Sequence, residues 1–222
     1  MSVAIELTAE IDERNLRFTS AVKDRLKDLD RFSLAALEWL MLEHFQFSFR
    51  NPHFLDVAAT ATRALAEPGV ASELRRNFHE ESGHAAIYRR ALAEVGADVA
   101  ARAEFAPTSA FLAAIEHLTA ASPAAVLGTM YATETAAIFE HEVFWEISRE
   151  VCARKHLRWD RSTLKAFHDM HLSGVEQGHK DGLAAFVGRG AADDDRVRAG
   201  ANAAIDAMTA WWQALLAEAS AR

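Results

Sequence analysis

Cysteine is nearly missing from this chain of 222 residues: only Cys152 is present, so no internal disulfide can form. Proline and glycine are scarce as well, with 4 and 10 copies, and Ala, Leu, Glu and Arg dominate instead. Such side chains lose little freedom on a helix, so the composition is helix-forming, and with half the residues hydrophobic it excludes wholesale disorder. Cations are outnumbered, 24 Lys+Arg against 32 Asp+Glu, which argues against nucleic acid or an anionic membrane as partner. No apolar run reaches the roughly 18–20 residues that span a bilayer. The start Met1-Ser2-Val3-Ala4-Ile5-Glu6 lacks a basic region followed by an apolar stretch. With the lone cysteine, this leads to the expectation of a cytoplasmic protein.

What is present reads as helix throughout. Pro52, Pro68, Pro107 and Pro123 act as punctuation, because a residue without an N–H stops or starts a helix. The pattern predicts helices at about 8–29, 32–50, 52–66, 71–95, 107–121, 123–153, 161–187 and 194–220. Ser33, Ser72 and Ser122 are expected as N-caps, and Gly96 and Gly188 as stops. Residues 188–195 are expected to form a polar loop whose aspartates suit the next helix N-terminus. No linker divides the chain, so residues 1–222 are expected to form one all-α domain.

The chemistry shows where acids and histidines occupy faces that should be apolar. Glu43 shares its helix face with Trp39, Leu40 and Phe47, and an unpaired carboxylate there would cost several kcal/mol to bury. Glu81 and His84, three apart, converge on one face between Phe78 and Tyr88, with Arg76, Glu80 and Arg90 on the solvated side. Glu134 is the only charged residue between His117 and Glu140, and its neighbours are Leu127, Met130, Tyr131, Ala137 and Ile138. Glu140, His141, Glu142 and Glu146 read as mostly solvated. The segment 168–179 is the densest, with His168, His171, Glu176 and His179. Each motif alone has a bland reading as a surface pair or polar face. Together, four carboxylates and a set of imidazoles with no thiolate suit iron or manganese at a dinuclear site.

In that order, Glu43, Glu81-x-x-His84, Glu134 and a His/acid/His helix, the motifs resemble the haem-oxygenase-like di-iron oxidases and oxygenases over roughly residues 32–188. The resemblance implies a haem-oxygenase-like bundle of about seven to eight helices, two Fe(II) per chain and O2 as co-substrate. It implies metal ligands Glu43, Glu81, His84, Glu134, His171, Glu176 and His179, with no catalytic residue beyond them. Glu81, His84 and a seventh-helix histidine would hold one iron; Glu43, Glu176 and His179 would hold the other, with Glu134 bridging. It also implies a small amine-bearing substrate, with N-oxygenation or nitrile formation of an amino acid the outcomes in view.

One motif departs from the family form His-x-x-x-Asp-x-x-His. Here it is His171-x-x-x-x-Glu176-x-x-His179, and the added residue rotates the first ligand by about 100° on a regular helix. A π-bulge near Gly174 would absorb the addition; otherwise His168 would serve. Met41, Phe45, Phe47, Met130, Tyr131 and Phe139 are expected to line a cavity or to be core, and Arg50 or Arg63 to clamp a substrate carboxylate or to be solvated. Trp211 and Trp212 fit a homodimer surface or core packing. The competing readings are a thiaminase-like hydrolase using Cys152 and a non-catalytic helical binding protein.

Overall fold

The structure, a computed structural model, describes residues 3–190 and 192–222, with the side chains of residues 3–5 excepted. Met1 and Ser2 of the N-terminal reading, and Ala191 of the expected 188–195 loop, lie outside the described residues. Among these residues there is no strand. The helices are α1 (Val3–Leu26), α2 (Leu34–Ala61), α3 (Gly69–Glu81), α4 (His84–Glu94), α5 (Ala106–Thr119), α6 (Pro123–Arg154), α7 (Thr163–Met170), α8 (Glu176–Ala184) and α9 (Asp194–Ala221). Short 3-10 turns join several of them, and α7 runs into α8 through a π-turn at His171–Val175. No helix among the described residues is long and apolar enough to cross a membrane.

Local chemistry accounts for most of the boundaries. Ser33 caps α2 by accepting from the Ala36 amide at 3.0 Å. Asp193 caps α9 by accepting from the Asp195 and Arg196 amides. Ser72, expected as a cap, instead lies inside α3. Two expected helices, 32–50 and 52–66, are one: α2 continues through Pro52. The proline removes only the bond to the Ser48 carbonyl, and burial of Phe54, Leu55 and Ala58 holds the second half against the core.

The reverse correction applies at 71–95, which is two helices. Gly83 sits at φ 106°, a conformation with little penalty only for glycine, and there the chain turns from α3 into α4.

The long α6 runs through the middle of the molecule, with α9 packed along it. Gly128 of α6 meets the backbone of α9 so closely that a Cβ would lie 1.8 Å from the Val197 carbonyl oxygen. Gly200 of α9 returns the contact, with the Ala125 carbonyl oxygen 2.0 Å from a built Cβ. A Gly128→Ala substitution is therefore expected to lower stability by about 1–3 kcal/mol, read as a reduced urea midpoint, because the two backbones must part. Trp211 and Trp212 are buried in this packing as core: Trp211 stacks on Phe111 at 4.3 Å, and Trp212 meets Phe139 edge-on at 5.5 Å.

Candidate metal centre

Three segments converge in the interior. The α3–α4 junction brings Glu81 and His84, α6 brings Glu134, and the π-turn with α8 brings His171, Glu176 and His179. The Glu81 and His84 side chains meet at 3.1 Å across the Gly83 break rather than along one helix. The added residue of the His171–Glu176 spacing is absorbed by the π-turn, with Gly174 at φ 111°. His171 Nε2 consequently lies 3.1 Å from His84 Nδ1 and 3.9 Å from Glu176 Oε1. His179 Nδ1 lies 3.3 Å from Glu134 Oε2 and 3.6 Å from Glu176 Oε2.

The ligand atoms form overlapping triads: Glu81, His84 and His171; His141, His171 and Glu176; and Glu81, Glu176 and His179. Glu81, His171 and Glu176 each belong to two of them, so two carboxylates, Glu81 and Glu176, lie between neighbouring positions, while Glu134 joins the cluster through His179. His168 is not part of the cluster. It is fully buried behind it, 3.2 Å from His141 Nδ1 and 3.2 Å from Ser148 Oγ.

Glu43 is elsewhere as well. It is fully buried, but both oxygens are engaged: Arg102 Nε donates to Oε1 at 2.7 Å and Arg102 Nη2 to Oε2 at 2.6 Å. Thr108 also donates to Oε2 at 2.6 Å, and Trp211 Nε1 donates to Thr108 at 2.9 Å. The burial expected of Glu43 is real, and an arginine on the segment before α5 answers its charge instead of a metal. The α2 residues that reach the centre are His44, Phe47, Ser48 and Asn51.

Two residues of α6 read as solvated are buried in the structure, Glu140 and His141. His141 lies seven positions after Glu134, two turns along the same face, a spacing that could have placed it in the set. Glu140 faces His44, with Oε2 3.7 Å from Nε2, and accepts from Trp212 Nε1 at 3.1 Å. Burial pushes its carboxyl up to about 7 and drives the His44 imidazole down to about 3. His141 and His168 are held well below the usual histidine range, first by burial and then by neighbouring imidazoles. These rings are neutral and carry one bare nitrogen each, the form that binds a metal.

Two buried atoms of the cluster find no hydrogen-bond partner: Glu81 Oε1 and His179 Nδ1. Buried polar atoms left alone are costly, and a cation between them would satisfy both. Outside the cluster, the half-exposed Glu80 lies 2.8 Å from His179 Nε2 and accepts from Arg76 Nη1 at 2.7 Å. That link places the ring proton on Nε2 and turns Nδ1 inward, as a carboxylate behind a ligating histidine does.

A cavity of about 30 Å³ adjoins the centre, walled by Phe47, Ser48, Asn51, Ala137 and Glu140 with the cluster itself. Of the six expected lining residues only Phe47 is there; Met41, Phe45, Met130, Tyr131 and Phe139 are buried core. Arg50 donates to Glu116 at 2.7 Å and Arg63 borders a separate surface groove, so neither reaches the cavity. Cys152 is buried, and burial raises its thiol, the opposite of an activated nucleophile.

Comparison with known proteins agrees with this architecture. A cadd-like protein of unknown function from Nostoc punctiforme PCC 73102 superimposes with a TM-score of 0.83 at 25% identity, covering 97% of this chain and 98% of that one. A domain of unknown function with a heme oxygenase-like fold from Shewanella denitrificans OS217 gives 0.66 at 15% identity, over 96% and 88%. A TenA homolog from Pseudomonas syringae pv. tomato str. DC3000 gives 0.74 at 16% identity, over 97% and 93%. A search of curated proteins finds no match. The fold is the haem-oxygenase-like one, and buried His/Glu clusters able to bind metal lie within it. Residues 6–218 match the family described as a domain of unknown function with a solved structure, DUF3865, and the chain belongs to that family.

Proposed function

We propose that the chain is an O2-dependent non-haem di-iron oxidase or oxygenase acting on a small amine-bearing substrate, with amino acids the first class to screen. The observation that carries this is the convergence of Glu81, His84, Glu134, His171, Glu176 and His179 around two buried atoms that lack partners. Glu81, His84 and His171 would hold one ion; Glu134, Glu176 and His179 would hold the other, with Glu81 and Glu176 each within reach of both. Mixed carboxylate and imidazole donors without thiolate suit iron or manganese. When bound, the irons supply the redox chemistry with O2 that side chains alone cannot.

The chain's own residues do the rest. Glu80 orients His179 through the 2.8 Å bond, and the Phe167 carbonyl lies 2.7 Å from His171 Nδ1, which turns Nε2 toward His84. Phe47 and Phe167 wall the cavity with apolar surface and exclude water. Ser48, Asn51 and Glu140 line the same space as hydrogen-bonding groups for an amine. At about 30 Å³ the cavity matches a molecule the size of O2 or water, so a larger substrate would enter by displacing its wall.

Anaerobic Fe(II) titration with metal analysis tests the reading. About two irons per chain are expected in the wild type, and Glu134→Ala is expected to lose one or both. Substrate-triggered O2 uptake is then expected on screening amines and amino acids. A folded wild-type chain that takes up no iron would end this proposal.

A further inference from the structure

Without Glu43, the cluster offers three carboxylates, Glu81, Glu134 and Glu176, and helix α2 contributes none. The structure places a fourth imidazole beside the others instead. His141 stacks on His171 with ring centroids 3.8 Å apart and 13° between planes, and its Nε2 lies 3.6 Å from Glu176 Oε1. Behind it, His141 Nδ1 lies 3.2 Å from His168 Nδ1, and His168 Nε2 lies 3.2 Å from Ser148 Oγ, which also reaches Met41 Sδ at 3.4 Å. Two neutral rings that meet through their Nδ1 atoms share one proton there, one ring donating and the other accepting. A cation in the cluster would take the lone pair of His141 Nε2 and so place that proton on His141 Nδ1, with His168 Nδ1 accepting it and His168 Nε2 donating to Ser148 Oγ.

We infer that His141 is a metal ligand through Nε2, shared with His171 and Glu176 in place of an α2 carboxylate, and that His168 and Ser148 are its positioning residues. The inference rests on the dinuclear reading above and concerns which residues complete it. It makes the site richer in imidazole than the ordered motifs alone suggested.

Anaerobic Fe(II) stoichiometry, together with the visible absorption of the Co(II)-loaded protein, tests it without any substrate. His141→Gln, of similar shape but a poor ligand, is expected to stay folded by circular dichroism and to bind about one ion or to bind the second at least roughly tenfold more weakly. His141→Glu, which restores a ligating atom, is expected to recover the second ion, which a packing role would not predict. Ser148→Ala, which only frees His168, is expected to shift the Co(II) absorption without unfolding the protein, and it carries the test should His141→Gln fail to fold. A His141→Gln or Ser148→Ala protein with wild-type stoichiometry and an unchanged Co(II) spectrum would overturn the inference and leave the dinuclear reading standing. A folded wild type that binds neither metal would overturn both.

Discussion

Acidification is expected to unfold the metal-free protein, with stability falling from about pH 6.5 downward and steeply below about pH 4.5. Three buried imidazoles drive this. His44 has an ordinary value of 6.5 and is depressed to about 3 in the fold, first by desolvation and then by His171. An unfolded chain therefore takes up a proton below 6.5 that the folded chain refuses until about 3. The stability of the neutral ring is complete above 6.5 and is lost as the pH falls through that interval, about 5 kcal/mol for His44 alone. His141 and His168 are depressed in the same direction and add to the loss.

Glu140 acts the opposite way: its carboxyl is raised from 4.5 to about 7, so it favours folding below 4.5 and loses that contribution as the pH rises to 7. Its gain on acidification is about 3 kcal/mol. Glu176 is raised in the same sense, chiefly by burial. His179 is raised to about 11, burial being outweighed by its bonds to Glu134 and Glu176, so its contribution is already complete below 6.5 and offsets nothing further down. Three rings outweigh two carboxyls, and below about 4.5, with those carboxyls protonated, the rings are unopposed. Urea melts followed by circular dichroism between pH 7.5 and 4, in chelator, are the measurement. A midpoint unchanged across that range would contradict the account, and His44→Phe is expected to flatten the slope.

Arg102→Ala is expected to lower stability by about 3–5 kcal/mol, because it leaves the fully buried Glu43 carboxylate without its countercharge. For a chain of this length that corresponds to a fall of roughly 10 °C in melting temperature. Replacing both residues with leucine is expected to cost far less, since the penalty lies in the charge left alone and not in the missing pair. The same experiment separates a structural Glu43 from a ligating one. Glu43→Gln keeps the Thr108 contact, and its iron stoichiometry is expected to equal the wild type's. A stoichiometry reduced by one in a folded Glu43→Gln protein would return Glu43 to the metal centre.

Helical content, the burial of Glu43 and Glu134, and the π-turn at Gly174 were all legible in the order of residues, since each follows from local periodicity or from a spacing that a regular helix cannot satisfy. The convergence of Glu81, His84, Glu134, His171, Glu176 and His179 was legible as a pattern of acids and imidazoles on apolar faces. Partners distant along the chain were not. Arg102 neutralises Glu43 from a segment nearly 60 residues away, and nothing in the spacing around either residue announces the pair. Glu140 and His141 follow the apolar stretch of α6 and precede Glu142 and Glu146, which are exposed; being neighbours of solvated acids hid two buried groups. Pro52 misled for a related reason. Its ring forbids one backbone bond, but whether a helix survives that loss depends on what the next two turns bury.

The bond between His179 and Glu80 separates two kinds of exchange with the surroundings. His179 is fully enclosed, whereas Glu80 is 41% exposed at its side chain. A proton leaving Nε2 crosses a single 2.8 Å contact to reach bulk water, with no helix displaced. An organic molecule larger than the adjoining cavity of about 30 Å³ has no such crossing and must wait for segments to part, a motion of microseconds or slower. The interior of this bundle is therefore expected to equilibrate its acidity with the medium quickly while turning over its larger contents slowly.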